Sequence, residues 1–175
     1  MCRNALWVGA LVLVATLFAD TTAEAQSRSK DGYLRRGAVG SRLGLGVFGV
    51  RYIDADGTER TNFGASVSGG LSYAVHERLA LDADSEVLFG FTPDFDLLQV
   101  ELTPGARLFV LPKLYARAAY AVRVLDPQNQ LALVGGGYYL TTGNLAAYIE
   151  INYVAWSQQP VDPPIIPRIG VELRF

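Results

Sequence analysis

The sequence predicts an all-β fold, an eight-stranded antiparallel up-and-down transmembrane β-barrel, and three observations carry that expectation. Apolar and polar residues alternate with period two; eight stretches with that alternation follow one another; and the connections between them alternate between longer and shorter. The clearest stretch runs from Asn62 to Phe91. In its first half Phe63, Ala65, Val67, Gly69, Leu71, Tyr73 and Val75 alternate with Asn62, Gly64, Ser66, Ser68, Gly70, Ser72 and Ala74. After the break His76-Glu77-Arg78, Leu79, Leu81, Ala83, Val87, Phe89 and Phe91 stand against Asp82, Asp84 and Glu86. Successive side chains of a strand point to opposite faces, whereas a helix repeats every 3.6 residues and cannot satisfy this pattern. Each half is longer than the ~5–6 residues usual in a soluble strand and than the ~9–11 a tilted strand needs to cross a hydrocarbon core. A hairpin with one apolar face and three carboxylates on the other implies a sheet closed around a polar interior, its apolar face toward lipid.

Taken in order, the chain begins with Arg3, an apolar run from Ala5 to Ala19 and Ala23-Glu24-Ala25. A positive start, a short apolar segment and an Ala-x-Ala site read as a secretory signal peptide over 1–25, cleaved after Ala25, so the chain is expected to be exported by the Sec route. The run is too short for a membrane helix, which needs ~18 residues. Its removal takes away Arg3, Asp20 and Glu24 and moves the net charge from −2 to −1, which leaves no electrostatic case for nucleic acid. Cys2, the one cysteine, leaves with it, so the mature chain forms neither an intrachain disulfide nor a thiolate metal site. Residues 26–37 show no period and read as an exposed, solvated lead, in preference to a specific contact with anionic lipid, ahead of a barrel over 38–175.

The first strand runs from Val39 to Ile53, with Val39, Leu43, Leu45 and Val47 against Arg42, Gly44, Gly46 and Phe48. Its glycines do not form a nucleotide loop, because no Gly-Lys-Ser/Thr follows and the segment is strand; they make room inside a narrow barrel. The loop Asp54 to Arg60 leads into the hairpin above, and Thr92-Pro93-Asp94-Phe95-Asp96 leaves it. Strand four sets Leu98, Val100, Leu102, Ala106, Leu108 and Val110 against Gln99, Glu101, Thr103, Gly105 and Arg107, and Pro104 within it predicts a bulge or kink. Strand five sets Leu114, Ala116, Ala118, Tyr120, Val122 and Val124 against Tyr115, Arg117, Ala119, Ala121 and Arg123. In strand six, Leu131 to Leu140, the run Gly135-Gly136-Gly137 leaves the two faces undecided. Strand seven sets Leu145, Ala147, Ile149, Ile151 and Tyr153 against Tyr148, Glu150 and Asn152. The four prolines between Ser157 and Pro167 predict a loop, and strand eight, Arg168 to Phe175, sets Ile169, Val171, Leu173 and Phe175 against Arg168, Gly170, Glu172 and Arg174.

Longer loops after strands one, three, five and seven and shorter turns after two, four and six match the asymmetry of outer-membrane barrels, with both termini on the periplasmic side. Closure follows from the solvent, since an open sheet edge in hydrocarbon leaves backbone groups unpaired. Together with the signal peptide and the terminal Val171-Glu172-Leu173-Arg174-Phe175, these features resemble the small eight-stranded outer-membrane β-barrel superfamily that includes the OmpA transmembrane domain and OmpX. The resemblance covers Val39 to Phe175. It implies an outer-membrane location in a Gram-negative-type envelope, outer-membrane lipid as surroundings, and Ile169, Val171, Leu173 and Phe175 as the signal read by the barrel-assembly machinery during insertion.

On the inward face Arg42, Arg107, Arg117, Arg123, Arg168 and Arg174 meet Asp82, Asp84, Glu86, Glu101, Glu150 and Glu172. Eight strands leave a lumen that side chains just fill, so these charges are expected to pair and plug it, because an unpaired buried charge is very costly. Tyr52, Phe63, Phe89, Phe91, Tyr153 and Trp156 fall toward the outer loops, and Tyr73, Tyr115 and Phe175 toward the turns, as two interfacial girdles.

The expected role is a structural or surface-interaction barrel, a monomer whose outer loops are free to meet a surface partner, with no cofactor, metal or catalytic residue. Two alternatives share these features: a narrow conduit for small molecules, which a crowded charged lumen disfavours, and a secreted lipocalin-like barrel with the faces inverted. Some barrels of the superfamily modify lipid A with a rim serine or histidine. Here His76 lies in a turn on the expected periplasmic side, without a serine beside it, so no enzyme is expected. The ladder Asp82, Asp84, Glu86 offers paired carboxylates or calcium ligands, but arginines on other strands answer it.

Overall fold

The structure, a computed structural model, describes residues 33–53, 57–91, 96–128, 130–141, 143–157 and 165–175. The signal peptide expected over 1–25, the lead through residue 32 and the tips of three of the longer loops lie outside the described residues. Eight strands run in chain order: β1 (Val39–Ile53), β2 (Glu59–His76), β3 (Leu79–Gly90), β4 (Asp96–Phe109), β5 (Leu114–Arg123), β6 (Leu131–Tyr139), β7 (Leu145–Ser157) and β8 (Ile165–Arg174). Each pairs antiparallel with its neighbour in sequence, and β1 also pairs with β8, which closes the barrel. We call the end where β1 begins and β8 ends the proximal end and the opposite one distal.

The polarity of the sheet is inverted relative to a soluble protein. Leu45, Val47, Ile151 and Ile169 are 56–61% exposed, while Arg107, Glu150 and Glu172 are at most 1% exposed. Period two dictates this once one face is chosen as the inside, because a strand cannot turn a single side chain without a bulge.

Volume is matched across the β1–β2 ladder. Gly40, Gly44 and Gly46 of β1 stand opposite Ser72, Ser68 and Ser66 of β2, and the large inward residues Arg42 and Phe48 stand opposite Gly70 and Gly64. From Gly40 to Phe48 no inward rung of this ladder carries two large side chains. The fit is tight: a Cβ added at Gly70 would lie 2.6 Å from the Ala83 carbonyl oxygen and from Asp84 Cα, both backbone atoms that cannot swing away.

The glycine run of β6 resolves in the same way. Gly135 and Gly137 pair with Asn152 and Glu150 of β7 and face the lumen, so Gly136 faces out. This phase turns Leu131, Leu133 and Tyr139 inward, where they are buried, and Val134, Tyr138 and Leu140 outward. Near the distal end Leu131, Leu133, Val154 and Ala121 form a small apolar cluster inside the barrel.

Four expectations need correction. Pro104 produces no bulge. The register past it is unchanged, and the β4–β5 ladder lacks the pairs between Leu102–Val122 and Gly105–Ala119, because proline removes a donor without adding length. The register shifts fall instead at Ala74/His76, Leu88/Phe89 and Ala132/Leu133. Strand eight starts at Ile165 rather than Arg168: Pro167 pairs with Ile151 of β7, one residue beyond the last β1 pair Gly46–Arg168, where β8 has become an edge that tolerates proline.

Third, Tyr115 is 1% exposed inside the lumen rather than in a girdle, since it is in phase with Arg117. Finally, the end of the lead is not a solvated tail. The Leu34 amide donates to the Glu77 carbonyl at 3.1 Å and the Gly37 amide to the Ala74 carbonyl at 2.7 Å, and Gly37, at φ +85°, turns the chain into β1. Leu34 is thereby buried against Ala74, Ala80 and Phe109 across the proximal mouth. A single apolar residue has no period, so the sequence carries no signal for it.

Because overpacked interiors cost about 1–3 kcal/mol and Gly70 abuts backbone, Gly70→Val is expected to lower the urea midpoint in micelles by at least that much. Ala83→Val, one residue from Asp84 but on the outward face, is expected to change it by no more than about 0.5 kcal/mol.

Candidate functional site

The lumen of the barrel is the candidate site. All twelve ionisable residues singled out above point into it, and all but Arg123, which is partly buried, are buried. They come from β1 (Arg42), β3 (Asp82, Asp84, Glu86), β4 (Glu101, Arg107), β5 (Arg117, Arg123), β7 (Glu150) and β8 (Arg168, Glu172, Arg174). β2 and β6 contribute small residues that leave space for the long arginines.

Arg42 is the hub. Its Nη1 donates to Asp84 Oδ2 at 3.1 Å and its Nη2 to Glu150 Oε2 at 3.0 Å, with Asp82 at 3.6 Å and Glu172 at 3.8 Å. Arg117 bridges the same two acids from β5, donating to Asp84 Oδ2 at 2.7 Å and Glu150 Oε1 at 2.8 Å. Arg107 joins Asp82, through Nε at 2.9 Å and 3.0 Å, to Glu172, through Nη1 at 2.8 Å. Arg174 Nε donates to Glu172 Oε1 at 2.9 Å. Arg168 donates to Glu86 and lies 3.7 Å from Glu150. The pair Arg123–Glu101, at 2.8 Å, stands apart from this network toward the distal end. Glu86 and Glu101 face each other across the β3–β4 ladder, and their separate arginines, Arg168 and Arg123, offset the repulsion of like charges there.

Neutral residues complete the set, and most of them were not singled out from the sequence. Tyr115 donates to Glu150 Oε2 at 2.8 Å, Asn152 Nδ2 to Glu150 Oε1 at 2.8 Å, and Ser72 to Glu172 Oε1 at 3.3 Å. Tyr139 donates to Glu172 and accepts from Arg107. The Arg42 guanidinium carbon lies 4.7 Å from the Tyr148 ring centroid, and that of Arg174 lies 4.3 Å from the Tyr139 centroid. These are cation–π distances, and desolvated cations gain most from such contacts. The phase of Tyr115 with Arg117, and of Tyr148 with Glu150, was a readable signal; Tyr139 had none until β6 had a phase.

The aromatic rings form a floor beneath the charges. Phe109, Tyr115, Tyr139 and Tyr148 pack in a chain with centroids 5.4–6.1 Å apart, and Leu34 packs with this layer from the proximal side. Between Leu34, Ala38, Gly40, Ser72, Glu172 and Arg174 lies a cavity of about 10 Å³, which is about one water molecule in size. Higher up, Ser66 Oγ, Glu86 Oε1, Thr103 Oγ1 and Asn152 Oδ1 make no hydrogen bond among the described residues.

As for catalysis, His76 is exposed at the proximal end, and its Nδ1 accepts from the Arg78 amide at 3.2 Å. Among the described residues no group of three or more His, Cys, Asp or Glu is arranged to hold a metal ion. On the outside, Phe63, Phe91, Tyr153 and Trp156 near the distal end and Tyr73 near the proximal end are 48–64% exposed; the side chain of Tyr52 lies outside the described residues. Ile169 and Val171 face outward, and Leu173 and Phe175 are half-buried.

No protein-family model matches the chain, and no curated protein matches it. Solved structures do resemble it. A structure titled as the de novo design of transmembrane β-barrels is 19% identical, with a TM-score of 0.49, covering 82% of this chain and 99% of that one. Neisserial surface protein A (NspA) is 17% identical, with a TM-score of 0.39 over 79% of this chain and 96% of its own. A TodX deltaS2S3 mutant, a monoaromatic hydrocarbon channel, is 14% identical, with a TM-score of 0.30 over 79% of this chain and 45% of its own.

Removing one partner of a buried ion pair typically costs about 3–5 kcal/mol, because the other charge stays buried and uncompensated. Arg42→Met is therefore expected to lower stability in micelles by about that amount, read as a shift of the urea midpoint, and added salt is expected not to restore it. Arg123→Met, at the less buried pair, is expected to cost less.

Proposed function

We propose that the chain is a small outer-membrane β-barrel protein whose ion-paired lumen is plugged, and that it acts as a structural or surface-interaction element of the envelope. The observation that carries this reading is the inversion of burial. Leucines, valines and isoleucines on the outer face are up to 62% exposed, while six arginines and six carboxylates are turned inward. In water such a surface is an aggregation liability, and in hydrocarbon it is the preferred solvent. A lipocalin-like ligand site would require the opposite arrangement, with aliphatic residues lining the lumen.

Two layers support the plug. At the proximal end the rings of Phe109, Tyr115, Tyr139 and Tyr148 pack with Leu34, and toward the distal end Leu131, Leu133, Val154 and Ala121 of β5, β6 and β7 form a smaller apolar cluster. Between them each of the six arginines is ion-paired with at least one carboxylate. Among the described residues His76, exposed at the proximal end, has its Nδ1 engaged by the Arg78 amide. The longer connections, which the strand order sets on the distal end, are the parts free to meet a partner outside the cell.

The mature chain from Gln26 is expected to fold in detergent micelles and not in plain buffer, and to change gel mobility on boiling, with β-type circular dichroism only before heating from micelles. A soluble, monomeric β-protein in buffer would overturn the membrane reading. In planar bilayers the folded protein is expected to show no large, stable conductance; steady channels would overturn the plug.

A further inference from the structure

We propose that the proximal rim is a docking surface for the phosphate groups of anionic glycerophospholipids in the leaflet it faces. This rests on the membrane-barrel reading above and adds a lipid class and a set of residues to it. Three segments meet at that rim. The lead brings Arg35 and Arg36, the β2–β3 turn brings Arg78 and the β4–β5 turn brings Lys113; the three arginines are exposed and the lysine is half-buried.

The contacts hold these segments together. Leu34 is bonded to Glu77 in the β2–β3 turn, the Tyr33 hydroxyl donates to the Val110 carbonyl at 3.4 Å in the β4–β5 turn, and the Arg78 guanidinium carbon lies 4.8 Å from the Tyr33 ring centroid. Four cations thus share one side of the mouth, with Glu77 the acid among them and His76 Nδ1 engaged by the Arg78 amide. Among the described residues no ion pair engages Arg35, Arg36, Arg78 or Lys113, in contrast to every arginine of the lumen.

The chemistry at this level fits a headgroup boundary. Arginine offers a planar fork that matches phosphate oxygens two at a time, and lysine extends an apolar stem to a compact charge. Val110 and Leu111, in the same turn as Lys113, are 55% and 56% exposed, so aliphatic surface and cation lie side by side, as they do where hydrocarbon gives way to phosphate. The longer connections at the opposite end contain Asp54, Asp56, Asp94, Asp126 and Asp162, with Arg51 and Arg60 in the strands beside the first of them.

The test is unfolding in urea after insertion into vesicles of phosphatidylcholine alone and of phosphatidylcholine with phosphatidylglycerol. A cation near an anionic surface gains enough that the folded-to-unfolded ratio is expected to rise on the order of tenfold or more with phosphatidylglycerol, and high salt is expected to abolish the gain. The combined variant Arg35→Gln, Arg36→Gln, Arg78→Gln, Lys113→Gln is expected to lose the gain while matching the parent in phosphatidylcholine alone. Because Arg78 packs on Tyr33, the pair Arg35→Gln, Arg36→Gln, whose side chains pack on nothing described, is measured too and is expected to lose part of it. Equal stability of the parent in both vesicles, or a full gain in the combined variant, overturns the proposal. So does the same rise from inorganic phosphate added to phosphatidylcholine vesicles, which would mark a site for a free anion. A chain that inserts into neither vesicle, seen as no mobility change on boiling, instead refutes the barrel reading itself.

Discussion

Arg42 reaches from β1 to acids on β3 and β7, and the rest of the barrel is arranged so that this arginine and its five counterparts can sit inside at all. A guanidinium taken out of water must recover its hydration from fixed partners. Those partners are Asp84 and Glu150 for Arg42 and again for Arg117, Asp82 and Glu172 for Arg107, Glu172 for Arg174, and Glu86 for Arg168. Because Asp82, Asp84, Glu150 and Glu172 are each shared by arginines from different strands, the network ties together walls that are not neighbours in the sheet. The small residues follow from it. Gly70 stands opposite Arg42 on the β1–β2 ladder and Gly137 opposite Glu150 on the β6–β7 ladder, which leaves room beside each long side chain, while other rungs set two long charged residues side by side, as with Arg42–Glu172 and Glu150–Arg168.

The two ends of the lumen are lined by different side chains. At the proximal end the tyrosines serve twice: their rings pack on one another and beneath arginines, and the hydroxyls of Tyr115 and Tyr139 donate upward to Glu150 and Glu172. They convert an ionic layer into an apolar one within the height of a single ring. Toward the distal end β6 contributes Leu131 and Leu133, which need no polar partner. The mouth below the tyrosines is then crossed by the chain itself, through Leu34. The cations Arg35, Arg36, Arg78 and Lys113 thereby gather at one rim, outside the network and available to a different partner.

The positions that escaped sequence reading share a physical character. Leu34 is one apolar residue in an aperiodic segment, and its burial depends on two backbone hydrogen bonds to the β2–β3 hairpin. Pro104 and Pro167 suggested breaks, yet the β3–β4 ladder runs through Pro104, and Pro167 lies past the end of the β1–β8 ladder, where only β7 pairs with it. The faces of β6 were undecided because glycine belongs to neither face; Asn152 and Glu150 across the ladder assign them. Tyr115 was drawn toward a girdle by its chemical type, whereas its phase with Arg117 placed it in the lumen.

Alternation by itself determined the strand count, the two faces of seven strands and the placement of all twelve charged residues on one shared face, because in a strand the side of a residue is a matter of counting; that this face is the inner one was decided by the structure. Which inward arginine meets which acid could not be counted. Pairing across a lumen depends on the stagger of strands distant in sequence, and only closure of β1 on β8 sets that stagger. The tertiary structure likewise decided what fills the two ends, since a floor of rings and a plug of one leucine arise from neighbours that come together only when the sheet has closed.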